Sequence, residues 1–201
     1  FEGNNLQGEN LRNQMDAGEV MKKQLWKQIV EAKIRNQAAL LDKVGQDGNI
    51  LKQYYQNVKS GDTDNKEGIA ARRYFTELFG ESFLRDRTLP GINVLLNYGY
   101  TILRAATARA LVSSGLLPAI GIFHHNRSNA FPLADDMMEP YRPYVDEIVY
   151  DLAMQGKLEL TKDVKAELIQ VLYADTLFSK VTRPLSVGLT LTSSSLSKCF
   201  A

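Results

Sequence analysis

Asp136 and Glu139 stand three residues apart in a stretch with helical character. That spacing puts both carboxylates on one helix face, where they can converge on a common cation. An isolated Asp-x-x-Glu more often only solvates a helix, so the surroundings have to decide. Pro140 and Pro143 follow directly. Each removes a hydrogen bond to the carbonyl four residues earlier, and those carbonyls belong to Asp136 and Glu139. The two acids therefore sit where the helix should kink, at a cost of about 3 kcal/mol or more per proline.

His124 precedes these acids in a connection rich in Pro, Gly, Asn and Ser, which can fold back over the start of their helix. An imidazole nitrogen beside carboxylate oxygens suits magnesium or manganese. A lone loop histidine is more often a surface or packing residue, and His125 competes for the same role. Glu67 follows Asp64 by three residues, the relation of a capping box, so Glu67 can be read as a cap partner as well as a cation ligand. Gly68 beside it leaves room for an approaching backbone. Arginines gather near the acids: Arg72 and Arg73 after Glu67, Arg85 and Arg87 in the next loop, Arg127 and Arg142 flanking the histidine and acids. Phosphate is their natural partner, and cation-binding acids ringed by arginines are what phosphodiester chemistry requires.

The elements that position these residues read as helices. From Glu9 to about Val44 apolar residues recur at helical spacing, giving one long amphipathic helix or two in succession. A short helix is expected from Ile50 to Val58, and another, capped by Asp64, runs through Phe79 to a stop at Gly80. Ile92 to about Ser114 is apolar nearly all round, which predicts a buried helix. Pro132 opens the helix of the acids, extending through Leu152. Thr161 caps a helix through Leu172, and Pro184 precedes a last one from Leu185. Strand signals are weak throughout, so the expected fold is all-α, a single multi-helix domain over residues 1–201.

Composition narrows the class. With 44% hydrophobic residues in 201, the chain can bury a sizeable core. No apolar run reaches the roughly 18–20 residues that span a bilayer, and no signal peptide is visible, so a cytoplasmic protein without membrane contact is expected. One cysteine, Cys199, excludes a disulfide framework or a thiolate zinc cage within the chain. A net charge of +1 says nothing about nucleic acid unless the charge is gathered on one face. No Gly-rich phosphate loop is present. No Glu-x-x-His pair of a redox carboxylate bundle occurs either.

Four segments in order carry a resemblance: Lys66-Glu67-Gly68-Ile69-Ala70-Ala71-Arg72; Asn93 through Tyr100; Gly121-Ile122-Phe123-His124-His125-Asn126-Arg127; and Asp136-Met137-Met138-Glu139-Pro140-Tyr141-Arg142-Pro143, with Lys33-Ile34-Arg35-Asn36-Gln37 matching as well. Together they resemble the universal CRISPR-associated integrase, the first of the two spacer-acquisition proteins. The resemblance implies a catalytic metal held by Glu67, His124 and Glu139, with Asp136 supporting the site and Arg142 facing the phosphate. It is a resemblance to the family's C-terminal helical domain; the small β-sandwich-like domain that usually begins family members has no counterpart here before Phe1. The implied chemistry is divalent-metal-dependent (Mg2+ or Mn2+) attack of a spacer 3′-hydroxyl on a phosphodiester at the CRISPR array, or hydrolysis when water attacks. The implied partners are DNA, a second copy of the chain in a homodimer, and the second universal spacer-acquisition protein, a small ferredoxin-like dimer. The alternative is a catalytically silent helical DNA-binding or scaffold domain, in which Glu67 only caps its helix; metal titration separates the two.

Overall fold

The long N-terminal stripe folds as two helices, α1 (Gln7–Asp16) and α2 (Glu19–Lys43), because Gly18 adopts an extended backbone between them. In the computed structural model, which describes residues 7–126, 128–178 and 181–200, α3 (Lys52–Gln56) and α4 (Lys66–Phe79) follow. The apolar segment forms α5 (Ile92–Ser113), then α6 (Pro132–Met138), α7 (Arg142–Met154) and α8 (Lys162–Ile169). Strands β1 (Asp175–Phe178) and β2 (Val181–Pro184) lead into α9 (Leu185–Phe200).

The fold is helical as expected, with one departure among the described residues. β1 and β2 pair as an antiparallel hairpin, Asp175 opposite Pro184 and Phe178 opposite Val181. Each strand has only four residues and β2 is exposed throughout, so no buried alternation marks it in sequence.

The start of α4 corrects two readings. Its N-cap is Asn65, not Asp64: the Asn65 Oδ1 accepts from the Gly68 N–H at 3.2 Å. Asp62 accepts from the N–H groups of Lys66 and Glu67, while Asp64 turns to Lys59. There is accordingly no Asp64–Glu67 capping box, and the Glu67 carboxylate is free to point elsewhere. The absent side chain of Gly68 makes room for the Asn65 amide, which a Cβ would meet at 2.7 Å, rather than for a passing backbone.

Two apolar cores result. Trp26, Val30, Ile34, Leu41 and Tyr74 anchor the first, built on α2 and α4. Leu95, Leu103, Val145, Val149, Leu152 and Leu168 anchor the second, built on α5, α7 and α8. Phe75 and Phe79 of α4 pack against both. The expected kink falls between the cores. α6 ends at Met138, residues Glu139–Tyr141 form a 3-10 turn, and α7 begins at Arg142. The carbonyls freed by the prolines are taken up locally, Asp136 by the Glu139 N–H and Glu139 by the Arg142 N–H.

Candidate active site at the seam between the cores

The loop between α5 and α6 is folded around one carboxylate. Asp136, with no solvent exposure, accepts from the backbone N–H groups of Ile122, Phe123 and His124 at 2.6, 2.9 and 3.2 Å. It also lies 2.5 Å from His124 Nδ1. Three amides and a ring nitrogen on one buried acid fix the backbone and the imidazole together. The hydrogen bond to Asp136 holds the His124 pKa above its usual value, against burial. With Nδ1 committed to Asp136, Nε2 is the ring nitrogen that could coordinate a cation. Packing adds to this: the Phe123 ring stacks on Trp26 at 4.2 Å, and His124 meets both rings edge-on.

Glu67 and Glu139 meet on a residue that the spacing of acids did not disclose. Lys33 of α2 places its Nζ 2.7 Å from Glu67 Oε1 and 2.6 Å from Glu139 Oε2. Arg142 holds the other oxygen of Glu139 at 2.8 Å, its guanidinium lying 4.5 Å from the centre of the Tyr100 ring. Burial alone would push the Glu139 carboxyl up; Arg142 and Lys33 overcome it and hold the pKa at about 2. Burial likewise opposes the charge on Lys33, and the two glutamates raise its pKa nonetheless. Glu139 and Lys33 therefore face each other as ions at neutral pH.

A cavity of about 310 Å³ opens on this cluster, lined by Lys33, Gln37, Arg85, His124, Glu139 and Arg142 among others. His124 and Glu139 thus face one space, with Glu67 joined to it through Lys33. Among the described residues no three His, Cys, Asp or Glu side chains are grouped closely enough to ligate a metal as they stand, and the Lys33 ammonium lies between the Glu67 and Glu139 carboxylates. His125 is exposed and does not line this cavity.

The arginines divide. Arg85, Arg87 and Arg142 line the cavity, Arg85 being held by Asn93 and Asn97 at 2.9 and 2.8 Å. Arg72 and Arg73 lie on the exposed face of α4, where Arg73 pairs with Glu77. Arg127 lies outside the described residues. Sequence spacing missed Arg104, which pairs with Asp135 at 2.7 Å beside a second cavity that Arg85, Arg87 and His124 share. It also missed Asp146, buried and bonded by Tyr74 and Tyr100 at 2.9 and 2.5 Å. The missed signal for Lys33 and Gln37 is their place on the buried face of α2, between Ile29 and Leu41.

A family model described as CRISPR associated protein Cas1 matches residues 2–185. The chain belongs to the Cas1 family. It is 47% identical over 167 residues to the CRISPR-associated endonuclease Cas1 of Neisseria meningitidis serogroup C, a match covering 81% of this chain and 55% of that protein. The chain spans about half the length of the curated Cas1 relatives it matches. Two solved structures share the fold. A casposase bound to integration product superposes with a TM-score of 0.80 at 22% identity, over 97% of this chain and 69% of that one. A chain of a Cas6-RT-Cas1–Cas2 complex gives 0.76 at 26% identity, over 98% of this chain and 26% of that one. Among the described residues no helix is long and apolar enough to cross a membrane.

Proposed function

We propose that this chain is the helical catalytic domain of a divalent-metal-dependent DNA endonuclease and integrase of CRISPR adaptation. The observation that carries this reading is the convergence of two carboxylates from separate elements, Glu67 and Glu139, on one cationic atom at 2.7 and 2.6 Å. The Lys33 ammonium stands where a hard cation would bind, and two oxygens with a nearby imidazole are a donor set that fits Mg2+ or Mn2+. Glu67, Glu139 and His124 would hold the ion, and Asp136 would keep the imidazole in the coordinating tautomer. When bound, the ion supplies Lewis acidity toward a phosphodiester oxygen.

The remaining work belongs to the chain's own residues. Arg142, Arg85 and Arg87 offset phosphate charge around the cavity and hold the reacting group in line. The 3′-oxygen of the incoming spacer forms its bond to phosphorus as the bond to the array strand's 3′-oxygen breaks. The proton lost by the first hydroxyl is regained by the second, so the exchange conserves the number of phosphodiesters. With water as nucleophile the same site hydrolyses DNA. Arg72 and Arg73 contact only flanking backbone and, like other arginine–phosphate contacts, read no sequence. DNA is the substrate, a second copy of the chain completes a homodimer, and the small ferredoxin-like Cas2 is the partner, a reading supported by the Cas1–Cas2 composition of a structural neighbour.

Strand transfer into a supercoiled array plasmid, with the full-length protein and its partner, tests this. Glu139→Ala should lower the rate by about a hundredfold or more; wild-type rates in Mg2+ or Mn2+ would sink the assignment. His124→Ala should lose metal-dependent activity while His125→Ala keeps it, and the reverse outcome moves the ligand to His125.

A further inference from the structure

Lys33 is only 8% exposed, and its ammonium occupies the space between the two carboxylates assigned above to the metal. Charge balance limits what can happen there. Lys33 and Arg142 carry one positive charge each, against one negative charge each on Glu67 and Glu139, so the cluster is neutral. Adding a dication while Lys33 stays would leave two uncompensated positive charges in a mostly buried cluster, which is strongly disfavoured. Moving the ammonium off the two oxygens relieves the closest of these repulsions, because the interaction falls with distance. The geometry agrees, since a dication and an ammonium sharing the same two oxygens would lie within about 4 Å of each other and repel strongly.

A withdrawn ammonium needs an acceptor. Gln37 lies one helical turn further along α2, where residues four apart share a face. It is 2% exposed, its Oε1 is buried without a hydrogen-bond partner, and it lines the same cavity as Lys33. A buried acceptor left unpaired costs stability, and it is the kind of group for which a structural reason is expected. The buried Asp146 carboxylate lines the same cavity.

We propose that Lys33 is a resident stand-in cation: a divalent ion enters the site by displacing its ammonium from Glu67 and Glu139, and the ammonium moves to the Gln37 Oε1 within the cavity. The inference rests on the metal reading of these glutamates and adds a competitor for their oxygens, a route by which it leaves them, and a positioning role for two residues of α2. Lys33 holds the two like-charged carboxylates together, so they are preset for the ion. In the loaded protein the lysine keeps its charge inside the cavity that Arg85 and Arg87 also line, so it still adds a cation for phosphate there.

The test measures binding rather than turnover. MnCl2 is titrated calorimetrically into the wild-type protein and into Lys33→Met, Gln37→Leu and Glu139→Gln. Lys33→Met removes the competitor and should tighten Mn2+ binding by about tenfold or more; Gln37→Leu removes the acceptor and should weaken it by about tenfold. A residue that only stabilised the fold would not move affinity upward. If wild type binds Mn2+, Glu139→Gln abolishes binding, and Lys33→Met binds no tighter, the lysine inference is overturned while the metal site stands. If Glu139→Gln leaves wild-type binding unchanged, or wild type binds no Mn2+, the metal reading falls and takes the inference with it. Wild-type protein gives a second measurement that needs no folded Lys33→Met. The 15N resonance of the Lys33 ammonium, identified by its loss in Lys33→Arg, should shift on saturation with MgCl2, and an unmoved resonance overturns the displacement.

Discussion

Asp146 and Glu139 are buried acids with opposite tuning. Burial pushes the Asp146 pKa up to about 6, although Tyr100 and Tyr74 donate to it. Its native pKa thus lies above the unfolded value near 4, so the native state binds the extra proton between about pH 4 and 6. Stability from this group is fully present below pH 4 and is lost as pH rises through 6. Glu139, held at about 2, works the other way: its contribution is present above about pH 4.5 and is lost as pH falls toward 2. Urea unfolding at pH 4, 5, 6 and 7 should show Asp146→Asn gaining on wild type by about 2 kcal/mol across that range. A constant difference between the two proteins would show that Asp146 does not titrate there. At this scale the sequence disclosed the acids and His124, because their spacing and the prolines are local. The resemblance flagged the segment that runs from Lys33 to Gln37, but spacing gave neither residue a role. Both sit on the apolar stripe of α2, where a long polar side chain reads as a snorkelling or misplaced residue until its distant partners, Glu67 and Glu139, are brought to it.

Helices α5 and α7 touch where Gly99 faces Val145. A Cβ on Gly99 would lie 2.3 Å from Val145 Cγ1, so the absent side chain sets how closely the two axes approach. Gly99→Ala should destabilise the protein by about 1–3 kcal/mol, and adding Val145→Ala should recover part of the loss. Denaturant midpoints of the two single variants and the double variant measure this, and additive losses would mean that the residues do not meet. Elements were the most legible level of the sequence. The all-round apolar segment became α5, Pro132 opened α6, Thr161 capped α8, and the two prolines marked the break at Glu139–Tyr141. The illegible parts lacked period or competed locally. β1 and β2 are too short to show alternation, and three neighbouring residues, Asp62, Asp64 and Asn65, could each have capped α4.

The charged cluster lies where the two cores meet. Lys33 and Glu67 come from elements of the first core, and Arg142 from the helix that carries the second. An ion held by Glu67 and Glu139, as proposed, would tie the halves together and stabilise the native state alone. At Mn2+ about a hundredfold above its dissociation constant the linkage is worth about 2.7 kcal/mol. For a chain of this size that corresponds to a rise in Tm of about 5–10 °C. Scanning calorimetry should show the rise in wild type and none in Glu139→Ala; equal rises in both would place the ion elsewhere. Spacing could not show that Lys33 and Arg142 join the glutamates, because α2, α4 and α7 come together only through tertiary packing; that Glu67 and Glu139 share a site was implied by the resemblance alone.

Trp26 is the chain's one tryptophan, and it stacks on Phe123, the neighbour of His124. Its intrinsic fluorescence is thus an unlabelled optical probe of the histidine loop. Quenching or a shift in emission wavelength on mixing with MnCl2 would report whether that loop moves, with no dye attached.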